Sequence, residues 1–173
     1  MQDILDDIGH ATWLPFTVIA ARLAIATLLG AVIGFEREWR NHPAGLRTHI
    51  LVALAAASFT IIGIEIVHSP QFEDDGARQD PLRLIEAVTA GVAFLAAGTI
   101  IVARGQVKGL TTGAGLWLAG SVGLAAGLGF WQVASFVTVL AVIVLGLLHP
   151  FEKMISPERP SSSHQSDRAD RAN

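Results

Sequence analysis

Residues 110–148 read LTTGAGLWLAGSVGLAAGLGFWQVASFVTVLAVIVLGLL, thirty-nine consecutive positions without an Asp, Glu, Lys or Arg. A bilayer's hydrocarbon core, ~30 Å thick, is crossed by ~20 apolar residues in a helix that rises ~1.5 Å per residue. One straight helix of this length overshoots that thickness, so the stretch reads as two spans, 110–129 and 130–148. The break falls at Gly127-Leu128-Gly129, with Trp131 just beyond as an interface anchor.

Working outward, three more blocks have the same character. Residues 84–102 hold one charge, Glu86; residues 48–67 hold one, Glu65; residues 15–35 hold one, Arg22. The five blocks take up more than half of the 173 residues. Five helices apolar on nearly every side would leave a soluble protein with no polar face to meet water. The composition agrees, with 51% hydrophobic residues, 16% charged and a mean hydropathy of +0.50. The expected fold is therefore all-α: a polytopic, five-helix transmembrane bundle whose first partner is the lipid bilayer. The chain has no Cys, which excludes a disulfide framework, Cys-ligated zinc, iron–sulfur clusters and thiol catalysis. A net charge of -3 gives no basic character for a nucleic-acid partner.

Basic residues set the orientation. On one side of a five-span chain lie Arg37, Arg40, Arg47, Arg104, Lys108, Lys153 and Arg159; on the other lie only Arg78 and Arg83. That second side also carries Asp3, Asp6, Asp7, Glu73, Asp74, Asp75 and Asp80. The side richer in Lys and Arg is cytoplasmic, so the amino terminus is expected outside and the carboxyl terminus inside. Residues 1–14 form an outer amino-terminal segment without signal-peptide character, and 15–149 the membrane domain. Residues 150–173, rich in Ser, Pro and charge, read as a disordered cytoplasmic tail.

Arg22, Glu65 and Glu86 are the only charges inside the spans, and charge at such depth finds a partner or a wet cavity. By helical rise Arg22 lies ~10 Å from the outer end of its span and each acid ~3 Å from its own. Arg22 can snorkel outward to their level. The readings are an ion pair of Arg22 with Glu86 or, failing that, Glu65; acids wetted at the interface; or an outward-facing cation or proton site. Small residues recur four apart at Gly30/Gly34, Ala87/Gly91, Gly109/Gly113 and Gly123/Gly127. Such stripes let helix backbones approach closely, within one bundle or between copies in a homo-oligomer.

The inner side is denser in polar groups. Glu36 and Arg40 are spaced i,i+4 and pair if the helix continues through Glu36-Arg37-Glu38-Trp39-Arg40. Gly45-Leu46-Arg47-Thr48 opens the second span and Gly109-Leu110-Thr111-Thr112 the fourth, an echo that divides the chain into two hairpins. Helix amino termini beside Arg47 and Lys108 favour an anion. Glu36, Arg37, Arg40, Arg47, Thr48, Lys108, Thr111 and Thr112 thus make a candidate docking face for an acidic partner segment, an anion or a lipid head group. The competing reading is a topology anchor, in which only net charge matters. His49, just inside the second span, reads as a satisfied polar residue. No HExxH, no Gly-x-Ser-x-Gly and no phosphate-binding loop occurs, so no catalytic, metal or cofactor site is expected.

Leu28-Leu29-Gly30-Ala31-Val32-Ile33-Gly34-Phe35-Glu36-Arg37-Glu38-Trp39-Arg40, followed by Ala44-Gly45-Leu46-Arg47-Thr48, resembles the first signature of the MgtC/SapB family of bacterial inner-membrane proteins. Gly91-Val92-Ala93-Phe94-Leu95-Ala96-Ala97-Gly98, then Val107-Lys108-Gly109-Leu110-Thr111-Thr112 and Leu116-Trp117, resembles the second. The match runs in order over about residues 20 to 130. It implies a five-span domain in the bacterial inner membrane and a link to magnesium homeostasis, virulence and survival inside macrophages. It also brings a reported restraint of the proton-driven ATP synthase. Three positions depart from the pattern: Ala96 stands for the usual Gly, Lys108 for the usual Arg, and Glu86 where Gln is common. The chain is similar to the short SapB-like form without a carboxyl-terminal soluble domain. The expected function is regulation or stress adaptation through a membrane or cytoplasmic partner, such as another inner-membrane protein. The alternative is a small ion or solute transporter or channel with an outward-facing charged site.

Overall fold

A computed structural model describes residues 12–69, 81–103 and 106–155. Five helices and one short hairpin follow in order: α1 Phe16–Trp39, α2 Leu46–Val67, α3 Pro81–Ala97, β1 Ile101–Ala103, β2 Gln106–Lys108, α4 Leu110–Leu128 and α5 Trp131–Ile155. Their ends have local causes. Pro15 precedes α1 and its carbonyl accepts from the Val18 and Ile19 N–H groups at 2.8 and 3.1 Å. After Trp39 the chain reverses through Asn41, at φ +55, a conformation Asn tolerates better than most side chains. The Glu38 carboxylate then accepts the Leu46 N–H at 3.0 Å, satisfying a donor that the start of α2 leaves without an intrahelical partner. Pro81 opens α3, where its missing N–H costs nothing. Gly129, at φ +89, ends α4 at the break expected between the last two apolar stretches.

Several boundaries differ from the sequence reading: α1 runs on to Trp39, beyond residue 35, and α3 begins at Pro81, ahead of residue 84. The third helix stops at Ala97, not residue 102, and the chain forms an antiparallel hairpin with Ile101 opposite Lys108 and Val102 opposite Val107. β-branched side chains on both strands favour the extended form, and Gly98 with Thr99 makes the turn that leaves the helix. At the other end α5 continues past 149 to Ile155, because Phe151, Met154 and Ile155 keep apolar residues at helical spacing. Only the remainder of the expected tail, 156–173, lies outside the described residues, as do 1–11 and the loop 70–80.

The centre of the molecule is the triplet α1, α2 and α4. Its core is made of small residues: Ala26, Ala53, Ala56, Ala57, Ala119 and Ala126 are buried, with Ile33, Leu116 and Val122 between them. Two of the glycine stripes meet α2 from opposite neighbours. A Cβ on Gly30 would lie 2.9 Å from the Ala53 Cβ and from the His49 carbonyl. A Cβ on Gly123 would collide with the Ala53 backbone, and one on Gly127 would lie 2.8 Å from the Ala57 carbonyl. Backbone therefore packs on backbone along both seams, as small residues permit. Helix α3 rests mainly on α4, and α5 on α1 and α4. The Ala87/Gly91 stripe is different, since a side chain on Gly91 would meet nothing within 4 Å.

The outside of the bundle is as apolar as its core. Phe94 is 85% exposed, Phe16 76% and Phe136 65%, with Leu28, Leu51, Phe59 and Val139 also on the surface. In water such a surface drives association, and in lipid it is the solvated face. Helices α1 and α2, 24 and 22 residues, are long and apolar enough to cross a membrane; by helical rise they measure ~36 and ~33 Å. The molecule is an all-helical membrane protein apart from the hairpin.

The three in-span charges do not pair with one another. Arg22 Nη1 donates to the Gly127 carbonyl at 2.8 Å, at the carboxyl end of α4. The Glu65 carboxylate accepts the Trp13 and Leu14 N–H groups at 2.7 and 3.0 Å, while Trp13 stacks on His68 with ring centres 3.7 Å apart. Glu86 is exposed on α3. The expected ion pair is thus replaced by charge-to-backbone bonds: the end of α4 leaves carbonyls that attract the cation, and the non-helical residues before α1 leave N–H groups that the Glu65 carboxylate accepts.

A buried polar cluster at the inner end of the central helices

Each of the three central helices ends its buried stripe in a residue unlike those before it, all at the same end of the bundle. On α1 the stripe runs Ala26, Gly30, Ile33, Gly34 and then Arg37. On α2 it begins at His49 and continues through Val52, Ala53, Ala56 and Thr60. On α4 it begins at Thr112, Gly113 and Gly115 before Leu116 and Ala119. The spacing of three and four that buries the alanines also buries Arg37 and His49. They are 2% and 0% exposed.

The two side chains are held differently. His49 Nδ1 lies 2.9 Å from the Gly45 carbonyl. A carbonyl can only accept, so Nδ1 carries a proton, and in the neutral imidazole Nε2 then presents a lone pair. Nε2 is buried without a hydrogen-bond partner. Arg37 has its Nη1 3.8 Å from Glu36 Oε2, a loose ion pair. Its Nε and Nη2 are buried and have no hydrogen-bond partner. The Glu36 carboxylate lies in ion-pair contact with Arg40 Nε, without the alignment of a hydrogen bond. Arg40 Nη2 reaches on to the Gly146 carbonyl of α5 at 3.3 Å. Across from this pair Gly115 presents bare backbone: a Cβ there would sit 3.1 Å from His49 Nε2 and 3.8 Å from Arg37 Nε, with no other neighbour within 4 Å. A buried guanidinium left short of partners costs several kcal/mol relative to one that is fully bonded.

The eight candidate residues of the inner face divide accordingly. Glu36, Arg37 and Arg40 come together, Glu36 and Arg40 around the buried Arg37. Thr112 is buried near the start of α4. Arg47, Lys108 and Thr111, at the same end of the bundle, are exposed and Thr48 is half-buried, so they do not share the buried environment of Arg37. Sequence reasoning took His49 as satisfied and passed over Gly115. The signal for both was present, since each falls on the buried period of its own helix. Among the described residues, no group of three or more His, Asp or Glu is placed to hold a metal ion.

Residues 23–154 match the MgtC family. Protein SapB of Bacillus subtilis (strain 168) is 39% identical over 143 residues, covering 82% of this chain and 61% of that protein. Protein MgtC of Brucella abortus (strain 2308) is 39% identical over 143 residues, covering 83% of this chain and 56% of that protein. YhiD of Escherichia coli (strain K12), which bears the name of a candidate magnesium transporter, is 34% identical over 128 residues, covering 74% and 59%. The chain spans about three-fifths of the length of these relatives. No solved structure matches it. Both stretches that carry the buried cluster, Glu36 to His49 and Thr112 to Gly115, fall inside the matched region, and the chain belongs to the MgtC family.

Proposed function

We propose that the chain is a five-span inner-membrane protein, amino terminus outside and carboxyl terminus inside. On this reading it acts without catalysis in adaptation to low magnesium, acid or intracellular stress, by docking a membrane or cytoplasmic partner. The observation that supports regulation over transport is the seam of backbone contacts. Gly30 lies against α2 at His49 and Ala53, and Gly123 and Gly127 lie against α2 at Ala53 and Ala57. A transporter needs polar groups or broken helices near the middle of the membrane. Here α2 is closed against its two neighbours by glycine from His49 to Ala57, and Thr60 spends its hydroxyl on the Ala56 carbonyl at 2.7 Å. The docking surface is the exposed rim of Arg47, Lys108 and Thr111, with Thr48 behind it. An acidic segment or a lipid head group complements it.

Magnesium transport is the competing reading that the name given to YhiD favours. The two separate in one pair of measurements. The double variant Arg47→Ala with Lys108→Ala is expected to insert normally yet fail to restore growth of a family-gene deletion strain at low magnesium. Purified wild type in sealed vesicles is expected to pass no more Mg²⁺ than empty vesicles. Saturable Mg²⁺ flux would overturn the regulatory reading. Full growth of the double variant would remove the rim from it.

A further inference from the structure

Two of the threonines buried in the helical core close on their own backbone. Thr60 donates to the Ala56 carbonyl at 2.7 Å and Thr138 to the Ala134 carbonyl at 2.8 Å. Arg37 and His49 depart from this. The Nε–Nη2 edge of a guanidinium is one of the two edges that grip an oxyanion with two parallel N–H bonds. In Arg37 both nitrogens of that edge are sealed from solvent and without a hydrogen-bond partner. Glu36 approaches Nη1 instead, the nitrogen outside the edge. His49 Nε2, also buried and without a partner, borders the same point above Gly115 as Arg37 Nε.

We propose that Arg37, His49 and Gly115 form a buried site for a small oxyanion that carries an O–H, of the bicarbonate or hydrogen phosphate type. Three features select that class. Charge comes first: Glu36 lies between the guanidiniums of Arg37 and Arg40, so the cluster holds one positive charge in excess, and an anion neutralises it. The hydrogen-bond inventory comes second. The free Arg37 edge offers two donors, while His49, its proton committed to the Gly45 carbonyl, offers an acceptor. The two Glu36 oxygens, also buried and without a hydrogen-bond partner, face Arg37 Nη1 and Arg40 Nε, so an occupant of the free edge accepts twice from Arg37 and donates once to a neutral His49. Chloride, nitrate and sulfate cannot donate near neutral pH, the phosphodiester of a lipid has no proton to give, and water brings no charge. Shape comes third. Gly115 carries no side chain at the point where a Cβ would press on His49 Nε2, at 3.1 Å, and border Arg37 Nε, at 3.8 Å. The site lies behind the exposed rim and does not depend on what docks there.

The test is calorimetric titration of the purified full chain in detergent micelles near neutral pH. The titrants are sodium bicarbonate, sodium phosphate, sodium nitrate and sodium sulfate. Saturable binding is expected for bicarbonate or phosphate. Nitrate and sulfate, without the hydrogen bond to His49, are expected ~10-fold weaker or more. Arg37→Lys keeps the charge, loses the two-pronged edge and should weaken binding by ~10-fold or more. Gly115→Ala should abolish binding while leaving the protein helical and monodisperse, since Ala suits a helix better than Gly. Gly91→Ala, in open space, should bind as wild type does. Three results would overturn the proposal: no saturable binding of either O–H-bearing anion, equal binding of nitrate or sulfate, or undiminished binding by a folded Gly115→Ala. The comparison of anions uses the unaltered protein, so it decides the matter even if a variant fails to fold.

Discussion

Arg22 sits in a stretch of α1 that is otherwise without charge from Phe16 to Phe35, and its partner is a backbone carbonyl. The last turn of α4 leaves carbonyls without intrahelical donors, and they form the negative end of that helix. Arg22 reaches the one at Gly127, at 2.8 Å, so a single bond both satisfies the guanidinium and ties α1 to the end of α4. A hydrogen bond to a charged group contributes ~1.5–3 kcal/mol. Arg22→Met is therefore expected to lower stability by about that amount, measured as SDS-induced unfolding in mixed micelles. Combining it with Glu86→Gln tests whether an ion pair exists. The two effects should add within ~0.5 kcal/mol, as for sites that share no partner. A coupling well above that would restore the Arg22–Glu86 pair. Glu65 serves the non-helical residues before α1, accepting the N–H groups of Trp13 and Leu14. Glu65→Ala should speed hydrogen exchange at those two amides while leaving exchange in the middle of α2 unchanged.

At the level of helices, what holds the bundle together is the absence of side chains. Gly123 lies against the Ala53 backbone, so adding even a small branched side chain forces α2 and α4 apart. Overpacking of this kind typically costs ~1–3 kcal/mol, and more where backbone cannot yield. Gly123→Val is expected to reduce the yield of monodisperse protein sharply. Gly91→Val, in open space on α3, should be recovered at nearly wild-type yield. A normal yield for Gly123→Val would mean that the seam is looser than these contacts require. These seams were readable beforehand, because glycine four apart in an apolar helix has few uses other than close approach. The break at Gly129 was equally readable from a stretch too long for one span. The β-hairpin was not: Ile100, Ile101 and Val102 are as apolar as the helix before them, and periodicity alone does not separate so short an extended run from a helix end. The partners of Arg22 and Glu65 were hidden for another reason. A sequence displays its charged side chains, whereas the carbonyls and N–H groups freed at helix ends appear only once the ends are known. Arg37 was placed on the inner face because charge after Phe35 looks like the start of a loop. Helix α1 instead continues to Trp39, and its period turns Arg37 into the core.

For the whole molecule, the open question is how the bundle lies in the bilayer, and two kinds of residue bear on it. Trp13 and Trp39 flank α1 at opposite ends and both are exposed, the arrangement of an aromatic belt at two interfaces. Arg37, Arg40, Arg47 and Lys108 all fall at the end where α1 finishes and α2 and α4 begin. Arg83 falls at the opposite end, two residues after the start of α3. If the chain alternates direction through five membrane-spanning helices, the basic end is expected in the cytoplasm and Asp75 outside. The orientation is checked with a reporter active only in the cytoplasm. Fused after Glu152 it should give full signal, and fused after Asp75 it should give none. Because α5 continues to Ile155, a fusion after Glu152 interrupts its last turn, so a second fusion after Ser156 guards against loss of signal through misfolding. Signal at Asp75 with none at either carboxyl-terminal position would invert the molecule. The rim of Arg47, Lys108 and Thr111 would then face outward, and a cytoplasmic partner could not reach it. Signal at all three positions would mean that α3, α4 and α5 do not cross an odd number of times between the Asp75 loop and the carboxyl terminus. In that case the 17-residue α3, the shortest of the five helices, is the one whose span must be given up.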